Sequence, residues 1–214
     1  MVTSCAPLVL RSNYSLLCGA SPVQAIPARA KELGYAALAL TDVNNLCAAV
    51  RFYKQCREIG LKPILGCELR HGRTRAVLLA RDAAGYVSLC KVLTRRHVDE
   101  QFSPVETLAR FHEGLHVLTE DADLAADLAR SMDPARLWLL LAWPGRGVTH
   151  SRDLARRADE IGIRVAASPD VYFLRPYEFE LHRVLSAIRM NALVSRIEPC
   201  DLAHPQSALP PPGE

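Results

Sequence analysis

His112 and His116 stand four residues apart, the spacing that puts two imidazoles on one helix face where they can share a zinc ion. Gly114 lies between them and an apolar run begins at Leu115, so neither a helix through both nor a shared metal is expected. The seven cysteines, Cys5, Cys18, Cys47, Cys56, Cys67, Cys90 and Cys200, contain no C-x-x-C pair. Zinc-ribbon and thioredoxin-type chemistry therefore fail on spacing, and an odd set lying mostly in apolar runs reads as buried thiols in a reducing compartment. No Ser-His-Asp arrangement can be assigned, and there is no Walker loop and no G-x-G-x-x-G. The densest basic run, Arg70-His71-Gly72-Arg73-Thr74-Arg75, predicts a hairpin-like turn with solvated side chains rather than a DNA contact. Arg95-Arg96-His97 suits the negative end of a helix dipole. Trp138 and Trp143 flank an apolar strand and read as packing residues, not as a base-stacking platform.

The elements that must carry these residues come from an ordinary globular composition. The 214 residues are 50% hydrophobic and 23% charged, with 14 Pro and 11 Gly. That is enough for a full core in one large domain or two small ones. Lys and Arg number 26 against 23 Asp and Glu, and a net charge of +3 is too small to act alone as a nucleic-acid footprint. No basic-then-apolar leader and no apolar run near ~18 residues is visible, so the expectation is a cytoplasmic protein with no membrane partner.

Short Val-, Leu- and Ala-rich runs alternate with longer amphipathic stretches. Strands are expected at Leu8–Leu10, Tyr35–Thr41, Pro63–Leu69, Arg75–Ala80, Leu115–Thr119, Leu137–Leu141 and Arg164–Ala167. Nearly all are too continuously apolar for a sheet with one wet face, which suits a parallel sheet buried on both sides. Helices are expected after the capping residue Ser21, with Pro27 kinking that helix or delaying its start, and at Asn45–Ile59, Ala84–Arg95, Pro104–Phe111, Leu124–Ser131, Ser151–Ile161 and Tyr177–Met190. Seven strands with intervening helices predict an α/β fold of the (β/α) barrel type over residues 1–190. Residues 191–214, ending Pro210-Pro211-Pro212-Gly213-Glu214, read as an extended linker or arm rather than core.

Asn13-Tyr14-Ser15-Leu16-Leu17-Cys18-Gly19-Ala20, Leu38-Ala39-Leu40-Thr41-Asp42, Ile64-Leu65-Gly66-Cys67-Glu68, Leu78-Leu79-Ala80-Arg81-Asp82, Asp170-Val171, Leu181-His182 and Ala187-Ile188-Arg189 occur in that order. Together they resemble the polymerase and histidinol phosphatase (PHP) domain, and more narrowly its version at the N-terminus of bacterial DNA polymerase III alpha subunits. The resemblance covers almost the whole chain. It implies a distorted (β/α)7 barrel related to TIM barrels, and a proline-rich end like the segment leading into a polymerase body.

The family builds a metal site from nine mostly histidine positions, with divalent ions that activate water against a phosphoester. By that resemblance, the first motif reads Val9-Leu10-Arg11-Ser12 where His-x-His-Ser is usual, and Cys18, Val43, Arg75 and Tyr172 stand at further ligand positions. Valine cannot coordinate and arginine brings fixed positive charge, while a Cys18 thiolate suits only a soft metal. Glu68 and Asp170 match surviving ligands, and Asp121, within a residue or so, stands as a possible oxygen replacement. Asp42 belongs to the family's pattern without being a ligand. The resemblance therefore implies that Arg11 and Arg75 pair with Glu68, Asp170 or both, so that guanidinium groups replace the metals.

The implied function is a non-catalytic PHP domain of a DNA polymerase III alpha-type DNA-directed DNA polymerase, with no catalytic residues and no cofactor of its own. It would scaffold the polymerase body in the same chain, reach DNA only through that parent, and offer a docking surface to a proofreading exonuclease subunit. The alternative is an active phosphoesterase or 3′–5′ exonuclease carrying Zn or Mn, and a third reading is a free-standing interaction protein that keeps the fold.

Overall fold

The computed structural model describes residues 5–144 and 147–213. Within them the chain forms β1 (Val9–Leu10), α1 (Ala25–Glu32), β2 (Ala37–Val43), α2 (Ala49–Glu58), β3 (Lys62–His71), β4 (Thr74–Ala80) and α3 (Ala83–Val98). There follow α4 (Pro104–Arg110), β5 (Leu115–Thr119), α5 (Ala122–Leu128), β6 (Leu137–Trp143), α6 (Val148–Ile161), β7 (Arg164–Val171) and α7 (Phe179–Met190). The strand order is β1-β7-β6-β5-β4-β3-β2.

Three helix starts, those of α3, α4 and α5, follow from their capping residues. Asp82 accepts a hydrogen bond from the Gly85 N–H at the start of α3, and Ser103 accepts one from Glu106 ahead of Pro104 in α4. Ser21 does not cap α1 as expected. Its hydroxyl donates to Glu178 at 2.8 Å, and α1 opens only at Ala25 with no side-chain cap, so that Pro27 sits in the first turn where its missing N–H costs little.

The sheet also departs from the all-parallel expectation. β5 and β6 are parallel, as are β1 and β7, but β4 runs antiparallel to both β3 and β5. The reason is the connection: only Gly72 and Arg73 separate β3 from β4, and so short a link can only reverse the chain. The central residues of β2 and β4 are buried without interruption, as their apolar composition predicts.

The chain divides into two compact units, one of Met1–Asp42, Cys47–Ile64 and Pro169–Glu214, the other of Val43–Leu46 and Leu65–Ser168. In the first, Val9, Leu10, Ile26, Leu38, Phe52 and Phe173 are fully or almost fully buried. In the second, one cluster joins Leu69, Leu78, Leu89, Leu115, Val117 and Leu139. The arm over 191–214 belongs to the first unit and is docked along part of its length. Ser207 accepts from the Tyr172 N–H, Leu209 donates to the Phe173 carbonyl, and the Tyr35 hydroxyl donates to the Pro210 carbonyl. Ser207 and Leu209 are buried, which gives this proline-containing segment a place in the core that its polarity did not suggest.

Candidate functional site

In the first unit, β1 ends at Leu10 beside β7, with Val9 opposite Asp170 and Leu10 opposite Val171. The Arg11 N–H continues the ladder to the Val171 carbonyl, which directs the Arg11 side chain at the end of β7. Arg11 is only 1% exposed; its Nη1 lies 2.8 Å from Asp170 Oδ1, and its guanidinium stacks 3.9 Å from the centre of the Tyr172 ring. A cation in such a place needs a carboxylate and a π face, and it has both. Val9, in β1, is fully buried among apolar side chains of the core.

Asp42, at the end of β2, is held by three donors: the Ser12 N–H, the Ser12 hydroxyl and the Ser15 hydroxyl, at 2.8, 2.8 and 2.6 Å. Gly19 closes this loop because a Cβ there would fall 2.1 Å from the Ser12 carbonyl oxygen. On α7, buried His182 donates from Nδ1 to the Cys18 carbonyl at 2.9 Å and accepts the Ala203 N–H at Nε2, at 3.0 Å. That pair of bonds requires a neutral ring. Burial, followed by Arg189 and Arg11, holds the His182 pKa below the ordinary value, against the opposing pull of the Cys18 carbonyl. His182 also meets Tyr172 edge-on at 5.3 Å, so the Arg11 stack and the docked arm share a neighbour.

The second unit holds a separate ionic cluster. Glu68 in β3 is fully buried, and Arg70, two residues on, lies on the same strand face and pairs with it. Arg75 is opposite Arg70 across the hairpin; its Nε lies 3.1 Å from Glu68 and its Nη1 2.9 Å from Glu120. Asn44, with φ of 53°, accepts the Arg70 N–H and donates to its carbonyl, which also accepts from Arg96. His97 meets the Asn44 carbonyl at 2.7 Å, so the basic end of α3 fastens this turn as well as answering its own dipole.

Several expected roles are corrected by these contacts. Arg70, expected within a solvated basic run, is turned onto the buried Glu68, and Arg75 meets the same carboxylate, because the hairpin pairs the two arginines across that face. Asp121 accepts from the Asp123 and Leu124 N–H groups and caps α5, while Glu120 beside it meets Arg75. Glu120 is not singled out by sequence, and Arg70 only as part of the basic run. Arg70 was within reach of the two-residue period of a strand, but Glu120 was hidden by the one-residue ambiguity at the end of β5. His112 bonds back to the Leu108 and Ala109 carbonyls at the end of α4, whereas His116 lies in β5 against the Trp138 indole. Trp138 is stacked by Arg164 at 3.8 Å, and Trp143 is nearly half exposed rather than packed.

Residues 7–167 match the model of the PHP domain. The chain belongs to the PHP domain family. This PHP chain is 35% identical to an error-prone DNA polymerase of Anaeromyxobacter sp. (strain K), over 89% of its own length but 19% of the relative. It is 34% identical to the DNA polymerase III subunit alpha of Chlamydia pneumoniae over 64% of its length and 13% of that chain. It thus spans about a fifth or less of these relatives. Among solved structures it resembles a protein assigned as a metal-dependent phosphoesterase from Bifidobacterium adolescentis, with a TM-score of 0.54 at 12% identity over 77% of this chain and 86% of that one. An amidohydrolase from Chromobacterium violaceum, solved with sulfate and no metal, gives 0.60 at 14% identity over 78% and 87%. These two likenesses show the fold, the α/β barrel of the PHP type expected from the sequence.

The donor set of this PHP domain does not fit the metal cluster that the family resemblance implies. The resemblance implies imidazoles at the positions of Val9, Arg11, Val43, Arg75 and Tyr172, which supply none, and Asp170 and Glu68 are each engaged by guanidinium within 3.1 Å. Among the described residues no group of three or more His, Cys, Asp or Glu side chains is placed to hold a metal ion. What the arrangement can do chemically is bind itself: fixed cations neutralise acids that would otherwise be buried and charged. Among the described residues no helix is long and apolar enough to cross a membrane.

Proposed function

We propose that this chain is a non-catalytic PHP domain of a DNA polymerase III alpha-type polypeptide, a cytoplasmic scaffold in which arginine–carboxylate pairs take the place of divalent metal ions. The observation that carries the reading is Arg11, almost fully buried and 2.8 Å from Asp170 at a position where the family resemblance calls for a histidine ligand. A guanidinium there both removes a donor and repels a cation. The relatives named as polymerases support the parent assignment. In such a parent the domain steadies the polymerase body and offers a surface to a proofreading exonuclease subunit, and DNA is met by the rest of the polypeptide.

The competing reading, a Zn- or Mn-dependent phosphoesterase or 3′–5′ exonuclease, draws on the solved neighbour assigned to that activity. The two are separated by metal content after growth in Zn- and Mn-supplemented medium, together with hydrolysis of p-nitrophenyl phosphate and of a 3′-labelled oligonucleotide. The scaffold reading expects substoichiometric metal and no turnover that distinguishes wild type from Glu68→Gln. Stoichiometric metal with ester cleavage abolished in Glu68→Gln overturns it.

A further inference from the structure

Thirteen large apolar side chains are exposed among the described residues, and six of them, Tyr177, Leu181, Val184, Ile188, Met190 and Leu193, lie within one stretch of 17 residues. Leu181, Val184 and Ile188 are spaced by three and four, so they share one face of α7, and Tyr177 precedes Leu181 by four in the turn that leads into the helix. Their exposures run from 43% at Val184 to 72% at Tyr177. The opposite face is spent inside the unit, where His182, Ser186 and Ala187 are buried. α7 is therefore buried along one side and apolar along the exposed other, the pattern of a helix that is covered on both. Of the charges bordering the stripe, Glu180 and Arg183 pair with each other at 2.8 Å and Arg189 donates to the Asp201 carbonyl, so no row of cations suits the face to a phosphate backbone.

We propose that the outward face of α7, continuing through Leu193, is the surface on which the polymerase body of a polymerase III alpha-type chain packs, through an apolar helical face of its own. The inference rests on the polymerase-domain reading above and adds the place of contact. Two observations select this occupant. In the matched relatives about four fifths of the polypeptide lies outside the stretch that corresponds to this chain, so a large covering body is available in the same molecule. The stripe also passes directly into residues 191–206, which lead to the segment docked through Ser207 and Leu209, so the exposed face and the fastened arm are consecutive along the chain. An exposed apolar patch of this continuity is otherwise an aggregation site on a free domain.

Hydroxyl-radical footprinting read by mass spectrometry tests this, since Tyr177 and Leu181 are reactive side chains in line with the stripe. The isolated chain is compared with a full-length Anaeromyxobacter polymerase in which this chain replaces the matched stretch. Oxidation of Tyr177 and Leu181 is expected to slow at least fivefold in the chimera, while Tyr53, exposed on α2, keeps its rate. Equal rates in a chimera that still extends primers overturn the α7 surface and leave the polymerase-domain reading intact. A folded chimera that extends no primer and leaves Tyr177 unprotected overturns both. Protection that appears in the isolated chain as its concentration is raised points to a second copy and also overturns the proposal. A second measurement mixes the isolated chain with the separately expressed remainder of the same polymerase. Association lost in Leu181→Glu/Ile188→Glu, whose own melting is unchanged, supports the surface, and association retained in that variant overturns it.

Discussion

Replacing Arg11 by methionine tests whether the ion pair of the first unit carries stability. At 2.8 Å and an effective dielectric of about 20, the attraction between Arg11 and Asp170 is roughly 6 kcal/mol before desolvation is subtracted. The Arg11 side chain has no exposed surface and Asp170 only 13%, so little water is at hand to take over when the partner is removed. Breaking such a pair from one side typically costs about 3–5 kcal/mol, and loss of the Tyr172 stack adds about 0.5–2. The expected cost of Arg11→Met is therefore about 3.5–7 kcal/mol. In Arg11→Met/Asp170→Asn no charge is left behind, and the double variant is expected to recover about 2–3 kcal/mol relative to the sum of the single changes. Urea unfolding followed by far-ultraviolet circular dichroism measures all four chains, with the slope checked for constancy. Single-variant costs that add to the double within about 0.5 kcal/mol would refute the pairing argument.

Three further outcomes follow from other contacts. Arg75→Ala is expected to cost about 1–3 kcal/mol, less than Arg11 because its side chain is a quarter exposed and Arg70 remains on Glu68; Arg75→Lys should restore only part, since an ammonium cannot present two nitrogens to Glu68 and Glu120, and urea midpoints at one pH compare the two. Acid should weaken the fold in two ranges. His182 and His116 both have folded values below the ordinary 6.5, so below that pH the unfolded chain holds more protons; their contribution is complete above about pH 6.5 and is lost as pH falls through the folded values, whereas Asp82, lowered chiefly by the Gly85 N–H, acts only below 3.8. Melting temperatures from pH 8 to 5 should fall less in His182→Gln than in wild type. Gly19→Ala, which drives a Cβ to 2.1 Å from the Ser12 carbonyl, should cost about 1–3 kcal/mol through a forced backbone shift, read as a lower urea midpoint at unchanged slope.

The strands and helices were legible because burial on both faces leaves uninterrupted apolar runs; β5 is found where Leu115–Thr119 predicts it. Direction was less legible. Nothing in the apolar run of β4 distinguishes parallel from antiparallel pairing, and only the shortness of the turn at Gly72 and Arg73 decides it. Docking of the arm was invisible because Ser207 and Leu209 are held chiefly through backbone groups, which every sequence possesses. In the candidate site, Arg11, Arg75, Glu68 and Asp170 could be named from ligand positions. Glu120 could not, because Glu120 and Asp121 exchange roles on the basis of one cap geometry, with Asp121 Oδ1 turned to the α5 amides.

Glu68 has consequences for how such a pocket can change. A fully buried carboxylate flanked by Arg70 and Arg75 acts as a ratchet: substituting either arginine by histidine removes compensation before enough imidazoles are present to attract an ion. Every such single step therefore first crosses a weakened intermediate, and the same barrier stands separately at Arg11. On the non-catalytic reading proposed above, catalysis in this scaffold calls for several simultaneous replacements, so directed evolution by single codon changes should stall while a block exchange of the arginines need not.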